Sequence, residues 1–170
     1  MNASAETPTA QGALKLKVGW QRFAEVANEL AFLSRRQQAE VGANYEPYAP
    51  DWDTYFAYDR AGSVAVWTAR TIERGVLVGY IIWLTTRGLH CADTIFAAAD
   101  LVYLAPEYRE GLTGYKLLKS GVAAIRPFVD IIKVETNDLY EEGRMGVLLK
   151  RLGFRRIGSV WQGHGRQQQR

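Results

Sequence analysis

The stretch from Leu104 to Lys116 reads Leu-Ala-Pro-Glu-Tyr-Arg-Glu-Gly-Leu-Thr-Gly-Tyr-Lys. An apolar, strand-like run ends there and a helical stripe begins, with Arg109, Gly111 and Gly114 at the junction. The first turn of a helix carries unpaired N–H groups and the positive end of the helix dipole. Glycines let backbone close on a bulky anion, and Arg109 adds a charged donor. Together these residue types can cradle a diphosphate. The stretch lacks the Gly-Lys-Ser/Thr ending of a nucleotide-binding P-loop, and it is not G-x-G-x-x-G either. From the loop alone a second reading stays open: Gly111 and Gly114 only shape a tight strand-to-helix turn.

The elements that must position this loop follow from periodicity. Before it, residues 63–71, 75–86 and 94–104 are rich in Val, Ile, Trp, Tyr and Thr, with turn signals at Ala61-Gly62, Glu73-Arg74-Gly75 and Arg87-Gly88. They predict three strands, the first two a hairpin and the third following by a short loop, hence antiparallel. After it, Tyr115, Leu118, Val122 and Ile125 make a helical stripe that Pro127 ends. A strand over 129–136 follows, then a helix through Met145, Leu148, Leu149 and Leu152 with Gly153 as its C-cap, then a strand over 154–161. Strand, helix, strand, helix, strand is a crossover pattern. Ahead of the sheet, Trp20, Phe23, Ala27, Leu30 and Leu33 predict an amphipathic helix over 20–39. A loop with Pro47 and Pro50 leads to Asp51, which can cap a short helix reaching about 57 or 58. The expected fold class is α/β, with a mixed, mostly antiparallel central sheet flanked by helices.

Composition sets the outer limits. A chain of 170 residues that is 48% hydrophobic and 23% charged can bury one sizeable core, and it is too apolar for a disordered chain. One globular domain is expected over 13–162, with small or polar tails at 1–12 and 163–170. No apolar run is long enough to span a membrane, and residues 1–12 lack the basic start and apolar stretch of a signal peptide. The expectation is a soluble, cytoplasmic protein. One Cys and two His cannot assemble a four-ligand soft-metal site, so no metal is expected. The net charge of +3 permits an anionic ligand without requiring nucleic acid. The basic pairs Arg35-Arg36, Lys150-Arg151 and Arg155-Arg156 are dispersed, as on solvated helix faces.

The order of elements, Pro106-Glu-Tyr-Arg109 opening the loop, and Leu152-Gly-Phe154 closing the penultimate helix resemble the GNAT superfamily of acetyl-CoA-dependent N-acetyltransferases. The resemblance covers about residues 18–162. The family loop reads Arg/Gln-x-x-Gly-x-Gly/Ala. Here Arg109 and Gly114 match, Leu112 stands at the middle glycine position, and a glycine sits one earlier at 111. The form Tyr-Arg-x-Gly-x-Thr-Gly is similar to a variant found in phage-encoded members.

The resemblance implies roles. Backbone N–H groups of Arg109, Glu110, Gly111, Leu112, Thr113 and Gly114, with Tyr115 beside them, would hold the pyrophosphate of coenzyme A. The main chain of Leu101, Val102, Tyr103 and Leu104 would pair with the pantetheine arm, and Asn137 could hydrogen-bond it, unless Asn137-Asp138 is a plain turn. The third strand and the 129–136 strand would diverge in a V with room for the thioester. A general base must take a proton from the acceptor amine. Asp100 is the first choice, because burial within an apolar strand would strengthen a carboxylate as a base. Glu135 and His90 are alternatives, and a capping role for Asp100 is the competing reading. Cys91, beside a strand, reads as packing. Many members carry a Tyr five residues before the Phe of Gly-Phe to protonate the leaving thiolate. Leu149 stands there instead, leaving Tyr140 or Tyr115 as substitutes, or release of thiolate to water. The acceptor groove would be lined by Tyr45, Glu46, Tyr48, Trp52 and Tyr55, suited to a cationic amine such as a lysine side chain or N-terminus. The same aromatics could instead pack their loop on the sheet.

The expected reaction is direct attack of an amine on acetyl-CoA in a ternary complex, with the oxyanion held by main-chain N–H groups of the third strand. The expected partners are acetyl-CoA and an amine acceptor, a host protein among the candidates in a phage-encoded case, with the host cytoplasm as location. A homodimer is the candidate assembly, without a membrane or nucleic acid. The alternative is a catalytically weak or inactive acyl-CoA-binding protein that acts by binding another protein.

Overall fold

A computed structural model of the chain describes residues 16–41, 48–136 and 143–158. The chain divides into two compact units with the boundary between Glu135 and Thr136.

The first unit holds a five-stranded sheet in the order β1 (Leu16–Gln21), β2 (Val64–Thr71), β3 (Leu77–Gly88), β4 (Cys91–Leu104) and β5 (Ile131–Val134). The first four strands are antiparallel to their neighbours, and β5 runs parallel to β4. The parallel pair is made by a crossover through α3 (Thr113–Ile125). The fold class is therefore the mixed α/β sheet flanked by helices that the sequence predicts.

α1 (Phe23–Val41) and α2 (Trp52–Arg60) cover one face of the sheet. Phe23, Val26, Leu30 and Leu33 recur at helical spacing and pack with Val64, Val66, Tyr80, Ile82 and Tyr103 in one buried cluster. Asp51 caps α2, accepting from the Thr54 N–H at 3.0 Å and the Thr54 hydroxyl at 2.6 Å. The Asp59 carboxylate of α2 in turn accepts the Phe23 N–H at 3.2 Å, supplying an acceptor for an otherwise unpaired N–H in the first turn of α1.

Strand alternation turns Trp67 and Ile81 to the opposite face, where α3 lies. A Cβ on Gly121 would meet Ile81 Cδ1 at 2.7 Å and Trp67 Cδ1 at 3.2 Å. The absent side chain is what lets α3 approach this closely. Trp67 Nε1 donates to Ser120 Oγ at 2.8 Å and fixes the register of helix on sheet.

Four expectations need correction. The first helix begins at Phe23, not 20, and Trp20 lies on β1 opposite Trp67, more than half exposed. Trp20 fell into the helical spacing by coincidence, and an edge strand with one solvated side gave no clear alternation of its own. β3 and β4 run further toward their shared hairpin turn than the turn residues implied, to Gly88 and from Cys91. β5 is shorter than 129–136, spanning Ile131–Val134. Residues 154–158 carry no regular structure where a strand was expected, and the rest of that segment lies outside the described residues.

In the second unit, α4 (Arg144–Arg151) ends as predicted at Gly153, whose φ of +85° suits only glycine at low cost. The Phe154 N–H returns to the Leu149 carbonyl at 3.0 Å, and Leu149 is buried.

Candidate active site

The site forms where β4 outruns β5. Ile82 faces Leu101 and Trp83 faces Ala99, so Asp100 is an extra residue between two paired ones, a bulge in β4. On the other edge of β4, pairing with β5 stops at Ala99↔Val134. Residues 100–104 continue beside β3 alone among the described strands. The Ala105 N–H donates to the Val78 carbonyl at 2.8 Å, which sets the phase of the ladder. By alternation Leu101 and Tyr103 bond to β3, while Val102 and Leu104 turn their main-chain groups to the edge that β5 does not reach. Of Leu101, Val102, Tyr103 and Leu104, only Val102 and Leu104 face that edge, and their carbonyls already accept side-chain donors, from Gln37 at 3.5 Å and from Arg109 at 2.7 Å.

Beyond Leu104 the chain makes a single 3-10 turn over Pro106–Tyr108 and enters α3. Arg109 and Thr113 satisfy their N–H groups within the loop, on the carbonyls of Pro106 and Glu110. The N–H groups of Glu110, Gly111, Leu112, Gly114 and Tyr115 have no acceptor among the described residues. Gly111 has φ +60°, the left-handed region, which turns the loop into the helix. Space above both Gly111 and Gly114 is open, since a Cβ on either would meet nothing within 4 Å. Five unmatched donors, two of them on glycines under open space, at a helix N-terminus fit a diphosphate. Leu112 projects an exposed side chain at the rim. Tyr115 lies in the first turn of α3, with Lys119 Nζ 5.9 Å from its ring centroid.

The Arg109 side chain does not project freely, as a charged donor for the loop would. Its Nε donates to the Leu104 carbonyl at 2.7 Å, its Nη1 pairs with Glu40, and its guanidinium lies 5.5 Å from the Tyr103 ring centroid. Arg109 thus braces the loop from below.

The C-terminal half of α1 supplies the other braces, which the sequence did not disclose. Arg36 holds Glu107 through two bonds of 2.8 and 2.6 Å, and this keeps the Glu107 carboxyl below its ordinary range. Gln37 accepts the Tyr80 hydroxyl at 2.6 Å and reaches the Val102 carbonyl at 3.5 Å. Glu40 accepts the Tyr103 hydroxyl at 3.1 Å. Burial, then the Glu40 charge and hydrogen bond, push the Tyr103 hydroxyl up to about 12.

Asp100 is exposed, so the burial that motivated it as a base is absent. It has instead a specific partner: the Tyr55 hydroxyl of α2 donates to its Oδ2. Burial first, and this carboxylate second, hold Tyr55 far above the ordinary phenol value, so the hydroxyl remains a donor. Glu135 is also exposed. Asp100 and Glu135 each follow the last β4–β5 pair by one residue, and so flank the point where the strands part.

His90 and Cys91 are exposed at the far end of β4, away from this point. Trp52 packs by Phe23 and Tyr55, with ring centroids 6.0 and 5.8 Å away. The Tyr48 hydroxyl bonds Ser34 Oγ at 2.8 Å and the Ala31 carbonyl at 3.1 Å. Both aromatics therefore anchor their segment on α1. Tyr45, Glu46, Asn137 and Tyr140 lie outside the described residues. Among the described residues no group of three or more His, Cys, Asp or Glu could hold a metal ion, and no helix is long and apolar enough to cross a membrane.

No family model and no curated protein sequence matches the chain. Solved structures do. An aminoglycoside acetyltransferase from an uncultured soil metagenomic sample, in complex with sisomicin, is 10% identical with a TM-score of 0.66, over 90% of this chain and 97% of that one. Glucosamine-6-phosphate N-acetyltransferase from Arabidopsis thaliana is 8% identical with a TM-score of 0.66, over 89% and 99%. A predicted acetyltransferase from Clostridium acetobutylicum, solved with acetyl-CoA, is 14% identical with a TM-score of 0.63, over 88% and 96%. At these identities the likeness is one of fold: the chain shares the fold of these acetyltransferases over 88–90% of its length.

Proposed function

We propose that the protein is an N-acetyltransferase that moves the acetyl group of acetyl-CoA to a primary amine. The observation that carries this reading is the set of five unmatched N–H groups, on Glu110, Gly111, Leu112, Gly114 and Tyr115, placed at the end of a strand edge that β5 leaves open. On a fold shared with acetyltransferases, that edge suits an extended amide chain and the loop suits a diphosphate.

In this reading the unmatched N–H groups of Glu110, Gly111, Leu112, Gly114 and Tyr115 bind the pyrophosphate, and the main-chain N–H groups of Val102 and Leu104 hold the pantetheine arm, with Asn137 a further candidate. Acetyl-CoA supplies an activated acyl carbon: the acceptor nitrogen bonds to it, the carbon–sulfur bond breaks, and coenzyme A leaves as the thiol. The ammonium acceptor loses two protons in the process. Asp100 takes the first, with Glu135 across the strand opening as the alternative base. The second ends on the departing sulfur. Leu149 cannot deliver it, so the thiolate is protonated by water or by Tyr140. A main-chain N–H of β4 at the open edge offers the oxyanion a donor.

The acceptor is a cationic amine, drawn to the two carboxylates that flank the strand opening. A lysine side chain, a protein N-terminus and a small-molecule amine all satisfy this. A host protein belongs among them if the resemblance to phage-encoded members holds.

The test is release of free thiol from acetyl-CoA in the presence of primary amines. Turnover by the wild type, lost in Asp100→Asn while acetyl-CoA still binds, supports the assignment. Acetyl-CoA binding without turnover would favour the second reading, a binding protein on this fold, which Leu149 at the usual Tyr position favours.

A further inference from the structure

We infer that Tyr55 is a positioning residue that holds Asp100 in the one orientation useful to the acceptor amine. The inference rests on the acetyltransferase reading above and goes beyond it by assigning α2 a role at the reacting end of the site.

Three observations carry it. First, Asp100 is the bulged residue of β4, between the pairs Ile82↔Leu101 and Trp83↔Ala99. A bulged residue leaves the strict alternation of the strand, so its side chain is re-aimed rather than fixed by the pleat. Second, Asp100 is exposed, and an exposed aspartate is free to change rotamer unless something holds it. Third, the Tyr55 hydroxyl donates to Asp100 Oδ2 from a residue 45 positions away in the chain. No local turn requires that contact.

Tyr55 is itself rigid. Its ring is stacked on Phe23, with centroids 5.1 Å apart and planes 10° from parallel, and Phe23 is fully buried. Trp52 packs beside it. The phenol is therefore a fixed donor on a fixed ring. It occupies Oδ2 and leaves Oδ1 to meet the ammonium proton. Holding a base in a single orientation lowers the barrier of the proton transfer without adding a contact to the acyl donor.

The contrast with the other carboxylate at the strand opening supports this. Glu135 has no hydrogen-bond or ion-pair partner among the described residues, whereas Asp100 is pinned. A catalytic base benefits from being held, and a residue that only attracts cations does not need to be.

The experiment is a double-mutant cycle of Tyr55→Phe and Asp100→Asn. Thiol release from acetyl-CoA is followed with a lysine peptide, an N-terminal peptide and an aminoglycoside. Tyr55→Phe keeps the ring stack, and a thermal melt verifies the fold. The expected result is that kcat falls about tenfold, the effect of losing one hydrogen bond to a charged group. The KM for acetyl-CoA should stay within about twofold, because no contact to the donor is touched. In the Asp100→Asn background the same change should alter kcat by less than about twofold.

Wild-type kcat in Tyr55→Phe overturns the inference, and so does an equal loss in both backgrounds. Wild-type turnover in Asp100→Asn overturns it too, while leaving the acetyltransferase reading standing. No thiol release by the folded wild type with any of the amines overturns both.

Discussion

Glu40 and Arg109 form an ion pair that ties the last turn of α1 to the start of the loop between β4 and α3. The same carboxylate accepts the Tyr103 hydroxyl, so one side chain holds both the end of the strand and the loop that follows it. The pair alone is partly solvated and contributes about 0–1 kcal/mol. The buried Tyr103 hydroxyl left without its acceptor costs about 1 kcal/mol more. Glu40→Ala should therefore destabilise the protein by about 1–2 kcal/mol, read as a melting temperature lower by roughly 5 °C. A variant that melts with the wild type would mean that the brace contributes nothing.

The approach of α3 to the sheet depends on Gly121. Any β-branched residue there must displace Ile81, which is fully buried, and crowd Trp67. Overpacking of this kind costs about 1–3 kcal/mol, more than the helix propensity regained by replacing glycine. Gly121→Val should lower the denaturant midpoint by an amount equal to about 2 kcal/mol. An unchanged midpoint would show that the helix can shift outward freely.

Acid should weaken the fold through Glu29. The hydrogen bonds from Arg70, at 2.7 and 2.6 Å, hold its carboxyl below the ordinary value of 4.5; burial opposes this, and the Arg70 charge adds to the lowering. A depressed folded-state value gives stability that is present above pH 4.5 and lost as pH falls through the folded value. The wild type should lose stability as pH is lowered from about 4.5, and Glu29→Gln should lose less over the same window. Parallel losses in the two proteins would contradict this origin.

Much of the scaffold is legible in local signals. Pro106 stops a strand, Tyr115 to Ile125 keep a helical stripe, Gly153 ends α4, and the three apolar runs between glycine turns become β2, β3 and β4. What the sequence conceals is long-range. Arg36 reads as part of a solvated helix face, and Gln37 and Glu40 carry no signal in the sequence, yet each of the three holds β4 or its loop. No spacing rule announces such pairs, because their partners lie 43 to 71 residues away. The bulge at Asp100 leaves only one trace, a carboxylate interrupting Ala97-Ala-Ala-Asp-Leu-Val-Tyr103. That trace identified the residue but suggested burial, where the bulge in fact turns it outward to Tyr55. β1 is not legible, because its single pairing edge and exposed Trp20 mimic the start of the helix that follows.

The most direct test of the account is titration calorimetry with acetyl-CoA on the wild type and on Gly114→Trp. A side chain at Gly114 enters open space, so the variant should fold and melt like the wild type while filling the cradle. The account predicts saturable binding by the wild type and none by the variant. No binding by the folded wild type, or equal binding by both proteins, would contradict a diphosphate site on the loop from Glu110 to Tyr115.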